Sequence, residues 1–205
     1  MRFNVENIHK TFGYYRILKG VSFSAMPGKS VAITGRNGAG KSTLLKILCG
    51  LLRADKGQVS LSIEGKKEVE SRYLYRYFGL VSPYLQLYEE LTAIENLSFA
   101  ADLRGLKSTR QEFLDLLEMV GLQKRGDDAV KTYSSGMKQR LKYAFAYQGN
   151  PPLLFLDEPT SNLDKDGVGR VYNLMKEYKK EHILVFATND EPDLQWADEI
   201  VDLNV

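Results

Sequence analysis

A chain of 205 residues with 43% hydrophobic content has room for one well-packed domain and is short for two independent ones. Its 28 Lys and Arg stand against 26 Asp and Glu, and no concentrated basic tract occurs, so no nucleic-acid partner is expected. The single cysteine, Cys49, excludes an internal disulfide and lies among Leu44, Leu45, Ile47, Leu48 and Leu51, the setting of a small core residue in a reducing compartment.

In chain order, Met1 to Glu6 alternates apolar and polar residues as a strand does and carries no signal-peptide hydrophobic region, so secretion is not expected. Residues 2–34 read as strands with turns at Gly13, Gly20 and Pro27-Gly28. The apolar run Val31 to Thr34 then meets Gly35-Arg36-Asn37-Gly38-Ala39-Gly40-Lys41-Ser42-Thr43, and a leucine-rich amphipathic helix follows. This is the pattern of a phosphate-binding loop. Its glycines let backbone N–H groups turn inward around phosphate oxygens, Lys41 brings a positive charge for the β and γ phosphates, and the Ser42 hydroxyl can ligate Mg²⁺. The helix adds its positive dipole end to the same place. A lone glycine-rich turn can bind nothing, but the full Gly-x4-Gly-Lys-Ser between strand and helix reads as a nucleotide site.

Val59, Leu61 and Ile63 add an alternating strand, after which the character changes. Thr92-Ala93-Ile94-Glu95 and Ser108-Thr109-Arg110-Gln111 each read as a capping box opening a helix, the second ending at Gly121. A further helix is expected from about Ser135 to Gln148. Strand Leu153 to Leu156, helix Val168 to Tyr178 and strand Ile183 to Ala187 then alternate, so a helical insert divides one α/β core. No apolar run approaches the ~20 residues of a membrane-spanning helix, so any membrane role must run through a partner.

The strand Leu153 to Leu156 runs into Asp157-Glu158, two carboxylates where a strand ends. In an open parallel sheet, ligands gather at the carboxyl ends of strands, which would bring this pair beside the phosphate loop. Asp157 then reads as the Mg²⁺ partner, usually through water, and Glu158 as the residue that orients or deprotonates the attacking water. A helix-capping acid pair in a turn before Pro159 is the alternative; beside a phosphate loop the catalytic reading prevails.

Between insert and acidic strand stands Tyr133-Ser134-Ser135-Gly136-Met137-Lys138-Gln139-Arg140, and after the carboxylates Ser161-Asn162-Leu163-Asp164. In order and spacing these segments, with the phosphate loop and Leu156-Asp157-Glu158-Pro159-Thr160, resemble the ATP-binding subunit of an ABC transporter over essentially the whole chain. The resemblance implies an α/β phosphate-loop NTPase core of ABC type with an N-terminal antiparallel β lobe and a helical insert subdomain. It implies one domain over 1–205, the core being 1–82 and 150–205 and the helical subdomain about 83–149. It further implies ATP and Mg²⁺ as ligands, ATP hydrolysis, and two nucleotide-binding subunits, as homodimer or heterodimer, stacked head to tail. ATP would lie between the phosphate loop of one and the Ser134-Gly136 segment of the other. A separate transmembrane transporter subunit is implied as well, which would hold the chain on the cytoplasmic face of the cell membrane.

Ser134 and Gly136 would stand at a helix N-terminus with a hydroxyl and a backbone N–H free for an anion, and an ordinary cap by Ser134 is compatible with that role. Phe12 occupies the place where the family stacks an aromatic ring on adenine, a core aromatic of the β lobe being the alternative. Asp164 resembles the family's loop that couples two ATP sites, although a surface turn acid looks the same from sequence.

Two departures from the family pattern stand out. Where the family has Thr-His-Asp, with the histidine contacting the γ-phosphate and the catalytic carboxylate, the chain reads Thr188-Asn189-Asp190. His182 begins the same strand, on the order of 20 Å away in extended chain, and cannot stand in; His9 precedes the phosphate loop. Asn189 donates an amide hydrogen bond but carries no proton or charge, so slow hydrolysis is expected. At Val81-Ser82-Pro83-Tyr84 the family's Mg²⁺-touching glutamine is replaced by Ser82 or Pro83, and Gln86 falls several residues late. The leading expectation is an energy-coupling ATPase subunit. A soluble ABC ATPase and an ATP-sensing regulatory subunit with little turnover are the alternatives, with a phosphoryl-transfer kinase behind them. The Tyr88 to Leu97 segment and the short chain are similar to exporter-type members, including haem-export ATPases of cytochrome c maturation.

Overall fold

A computed structural model describes residues 1–65 and 68–204. β1 (Arg2–Phe12) and β2 (Tyr15–Ala25) form an antiparallel hairpin that closes at Phe12↔Tyr15, with Gly13 in the left-handed region. The turn expected at Gly20 is not there. β2 runs through it: Gly20 has φ 104°, and a Cβ on it would stand 3.0 Å from the Asn7 Oδ1, so glycine serves an irregularity in the ladder rather than a chain reversal. β3 (Ser30–Thr34) leaves this lobe and leads through the glycine loop into α1 (Lys41–Leu48). β4 (Lys56–Ser62) and β5 (Val69–Glu70) return to it, giving the sheet order β2-β1-β4-β5.

The second sheet has the order β6-β7-β8-β3-β9, with β6 (Phe78–Val81), β7 (Leu153–Asp157), β8 (Ile183–Ala187) and β9 (Glu199–Asp202) all pairing in parallel. β7 and β8 are buried at every residue, as the continuous apolar runs of a doubly covered parallel sheet require. Their side chains divide by the period of two. Leu153, Phe155, Ile183 and Val185 join Phe3, Leu44 and Leu48 beneath the β lobe and α1, whereas Leu154, Leu156, Leu184 and Phe186 join the helices on the opposite face.

Those helices are α2 (Ala93–Arg104), α3 (Arg110–Met119), α4 (Ser135–Tyr147) and α5 (Lys165–Lys179), followed by the single turn α6 (Glu191–Leu194). α2 opens on the expected capping box, Thr92 with Glu95. α3 opens one residue later than expected, on Thr109 with Glu112 rather than Ser108 with Gln111. Both registers offer a hydroxyl and a suitable partner, but Glu112 presents a full negative charge to the helix dipole and to the Thr109 amide, which donates to it at 2.6 Å. This register also turns Phe113 and Leu117 into the core. Gly121, at φ 73°, ends the helix as expected.

α4 is seated directly on β6. A Cβ at Gly79 would come within 1.8 Å of the Ala146 carbonyl oxygen, so the helix backbone lies against the strand. Among the described residues no helix is long and apolar enough to cross a membrane. The protein is thus an α/β molecule: an antiparallel β lobe, a parallel five-stranded sheet and a cluster of helices over its far face.

Candidate nucleotide site

Register brings the strand ends to one edge of the parallel sheet, where Val81 pairs with Leu156, Asp157 with Ala187, and Ile33 with Ala187. The residues just beyond them are Ser82, Glu158, Thr188-Asn189 and Gly35, so four connections converge where an open sheet binds ligands. Within the glycine loop, Ala39 N–H donates to Arg36 O at 3.0 Å. Gly35, Gly38 and Gly40 all have positive φ, and at Gly40 a Cβ would stand 2.6 Å from Ile17, so neither backbone nor space admits a side chain there.

Gly40 is also the N-cap of α1. Each of α2, α3, α4 and α5 begins with a side chain that accepts a first-turn N–H, from Thr92, Thr109, Ser134 and Asp164 respectively. α1 has no side-chain cap. Its leading amides therefore keep their donors for the cleft of about 270 Å³ that Gly38, Gly40, Lys41, Ser42 and Thr43 line together with Phe12, Asn37 and Glu158.

Lys41 is buried with its ammonium folded back onto the Gly35 carbonyl at 2.9 Å and 3.8 Å from Glu158 Oε1. Ser42 Oγ donates to Asp157 Oδ1 at 3.2 Å. Burial pushes the carboxyl of Asp157 above the usual carboxylate range, partly offset by the Ser42 hydrogen bond and by Lys41; burial raises Glu158 too, again against Lys41. A hydroxyl and a carboxylate brought together, with room for phosphate oxygens beside them, is a donor set that suits a small hard cation such as Mg²⁺.

Asp157 ends β7, and Glu158 leaves it at φ 53° while its N–H donates to Ala187 O at 2.9 Å. Neither acid caps a helix; the cap of α5 is Asp164, which accepts from Gly167 N–H at 2.7 Å. The capping alternative for the pair is thereby overturned. With its amide nitrogen turned toward the carboxylate, the orientation that satisfies both groups, Asn189 donates to the two oxygens of Glu158 at 2.9 and 2.8 Å.

Phe12 is 48% exposed and lines the cleft with Lys10 at 5.4 Å from its ring centroid, so it is not a core aromatic. Arg36 and Ala39 face the other side of the loop, where Arg36 N–H donates to Asn204. Ser134 and Gly136 stay outside the cleft. Ser134 is exposed at the start of α4, its hydroxyl accepting Met137 N–H at 3.2 Å, and Gly136 lies against the Asn162 backbone, where a Cβ would stand 3.6 Å from the carbonyl oxygen. His182 stacks on Tyr178 and His9 bonds Asn7, both away from the site.

Two features had no reading from the sequence. Lys142 on α4 donates to the Ser82 and Pro83 carbonyls at 3.2 and 3.3 Å, filling the segment where the family keeps its glutamine. Thr160, Tyr172 and Thr188 converge on buried Asp193. The sole sequence signal for the second was an acid five residues past Thr188 in a short polar turn.

A parallel sheet carrying this loop and this acidic strand end, joined to an antiparallel β lobe and a cluster of helices, is the fold of solved ABC-type ATP-binding cassettes. A solved structure described as the "Dimeric structure of a post-hydrolysis state of the ATP-binding cassette MJ0796 bound to ADP and Pi" superposes with a TM-score of 0.85 at 25% identity, covering 98% of this chain and 93% of that one. Another, an "ATP binding subunit of ABC transporter", does so with a TM-score of 0.83 at 29% identity over 98% of this chain and 85% of the other. Residues 18–161 match the "ABC transporter" family model, and the chain belongs to that family. It is 35% identical to the linearmycin resistance ATP-binding protein LnrL of Bacillus subtilis over 90% of its own length, spanning 60% of that relative. It is 37% identical to the lipoprotein-releasing system ATP-binding protein LolD 1 of Caulobacter vibrioides, over 86% of this chain and 79% of that one.

Proposed function

We propose that the chain binds and hydrolyses ATP as one of two stacked nucleotide-binding subunits and thereby powers a separate membrane-spanning transporter subunit. The observation that carries this reading is the uncapped N-terminus of α1, opening into a cleft that also holds Lys41, Ser42 and Glu158, with Asp157 bound to Ser42. In it the loop amides and Lys41 hold the β and γ phosphates, Lys41 exchanging the Gly35 carbonyl for phosphate oxygens. Phe12 stacks on adenine, supported by its exposure. Ser42 and Asp157 hold Mg²⁺, which when bound offsets negative charge on the phosphate oxygens. Glu158 orients a water and accepts its proton, a task that its burial-raised proton affinity favours.

Exposure of Ser134 at the α4 N-terminus, with half-buried Gly136 two residues on and both outside their own chain's cleft, supports their use by a partner's nucleotide. Asp164 would join the same interface. The dimeric cassette among the solved structures supports this stacking, and the names of LnrL and LolD 1, ATP-binding proteins of linearmycin resistance and of a lipoprotein-releasing system, support a role as the ATP-binding part of a larger system. The chain then works on the inner face of a membrane through that partner.

Asn189 favours a variant of this reading in which turnover is slow and nucleotide occupancy is the main signal. The test of the whole proposal is Glu158→Gln incubated with Mg·ATP: size-exclusion chromatography should move the chain from monomer to dimer, with nucleotide retained. A monomer that retains no nucleotide removes the proposal.

A further inference from the structure

Asp193 is fully buried, and among the described residues no lysine or arginine pairs with it. Its carboxylate is satisfied by hydroxyls: Thr188 Oγ1 at 2.6 Å, Tyr172 OH at 2.7 Å, and Thr160 Oγ1 at 3.2 and 3.3 Å from its two oxygens. A buried carboxylate without a cation is costly, and it persists only where its acceptors are filled by well-placed donors. The donors come from the loop after β7, from α5 and from the end of β8. Thr160 stands two residues beyond Glu158, and Thr188 directly precedes Asn189. The Thr188 hydroxyl also accepts Asp190 N–H at 3.0 Å, which closes the turn that carries Asn189.

We propose that Asp193 is a positioning residue for the hydrolytic centre: by binding Thr160 and Thr188 at once, it locks the Glu158 loop to the Asn189 turn. Asp193 is not among the residues that line the cleft. The consequence for Glu158 is direct, because its left-handed backbone and its bonds from Asn189 require both loops to hold their relative position. α6 is a single turn, and the hydroxyls of Thr160, Tyr172 and Thr188 tie its Asp193 to the loop after β7, to α5 and to the end of β8. Tyr172 adds a reporter, since its ring stacks at 5.0 Å on Trp196, the chain's single tryptophan.

The inference rests on the proposed function for its catalytic meaning but not for its geometry, and the experiment separates the two. In Asp193→Asn without nucleotide, hydrogen exchange should quicken in peptides covering 158–164 and 188–190, with 35–43 unchanged, and Trp196 emission should shift. Unchanged exchange in those peptides overturns the proposal. With Mg·ATP, kcat should fall by at least about tenfold while Kd stays within about twofold; an equal loss of both, or of neither, also overturns it. Should Asp193→Asn not fold, Thr160→Val removes one donor at constant shape and should quicken exchange in 158–164 alone. A wild-type chain that shows no hydrolysis sinks the proposed function while the exchange data still decide the role of Asp193.

Discussion

Glu158 sits at φ 53°, a conformation that costs a non-glycine residue roughly 1–3 kcal/mol, and does so with a partly buried carboxylate. Its neighbours meet that cost with specific bonds: the Ala187 carbonyl takes its N–H, Lys41 stands at 3.8 Å, and the Asn189 amide spans both oxygens. An amide in this position holds the carboxylate but brings no group that can take up a proton or a charge. Replacing Asn189 by histidine supplies one. Asn189→His is therefore expected to raise phosphate release from the assembled protein by about tenfold, and unchanged turnover would refute this account of the position.

At the scale of elements, caps decide both stability and function. α3 begins on Thr109 rather than Ser108, so Thr109→Ala should lower the unfolding free energy by about 1 kcal/mol, seen as a shift in the urea midpoint. Ser108→Ala should stay within about 0.5 kcal/mol. Equal losses would return the helix start to Ser108. α1, by contrast, forgoes a side-chain cap, and the anion-binding capacity of its N-terminus depends on that omission. Two strands at the sheet edges, β6 and β9, were not legible in advance. Each has four residues, and β6 contains Gly79, which sequence patterns take as a break but which here admits the α4 backbone. The interior strands β7 and β8 were legible because their burial on both faces leaves only apolar residues.

At the scale of the whole molecule, Lys41 lines the cleft of its own chain and Ser134 does not. If the site closes across a stacked dimer, Lys41→Met and Ser134→Arg should each abolish hydrolysis alone, whereas a mixture should recover activity. Mixed dimers carry one intact site each and form half of a random population, so recovery should approach about a quarter of the wild-type rate. No recovery on mixing would mean that Ser134 serves its own chain.

The phosphate loop and the acidic strand end could be read from residue order because their parts are neighbours along the chain, where spacing alone sets which amides, ammonium and hydroxyl share a turn. Asp193 shows the opposite case. Its donors lie 33, 21 and 5 residues away, and nothing in their spacing brings them together until β7, β8, α5 and α6 have packed. The same holds for Lys142 reaching Ser82 across 60 positions. Contacts between distant segments are chosen by packing and by the demand that buried polar atoms be paired, and that demand exists only in the folded chain.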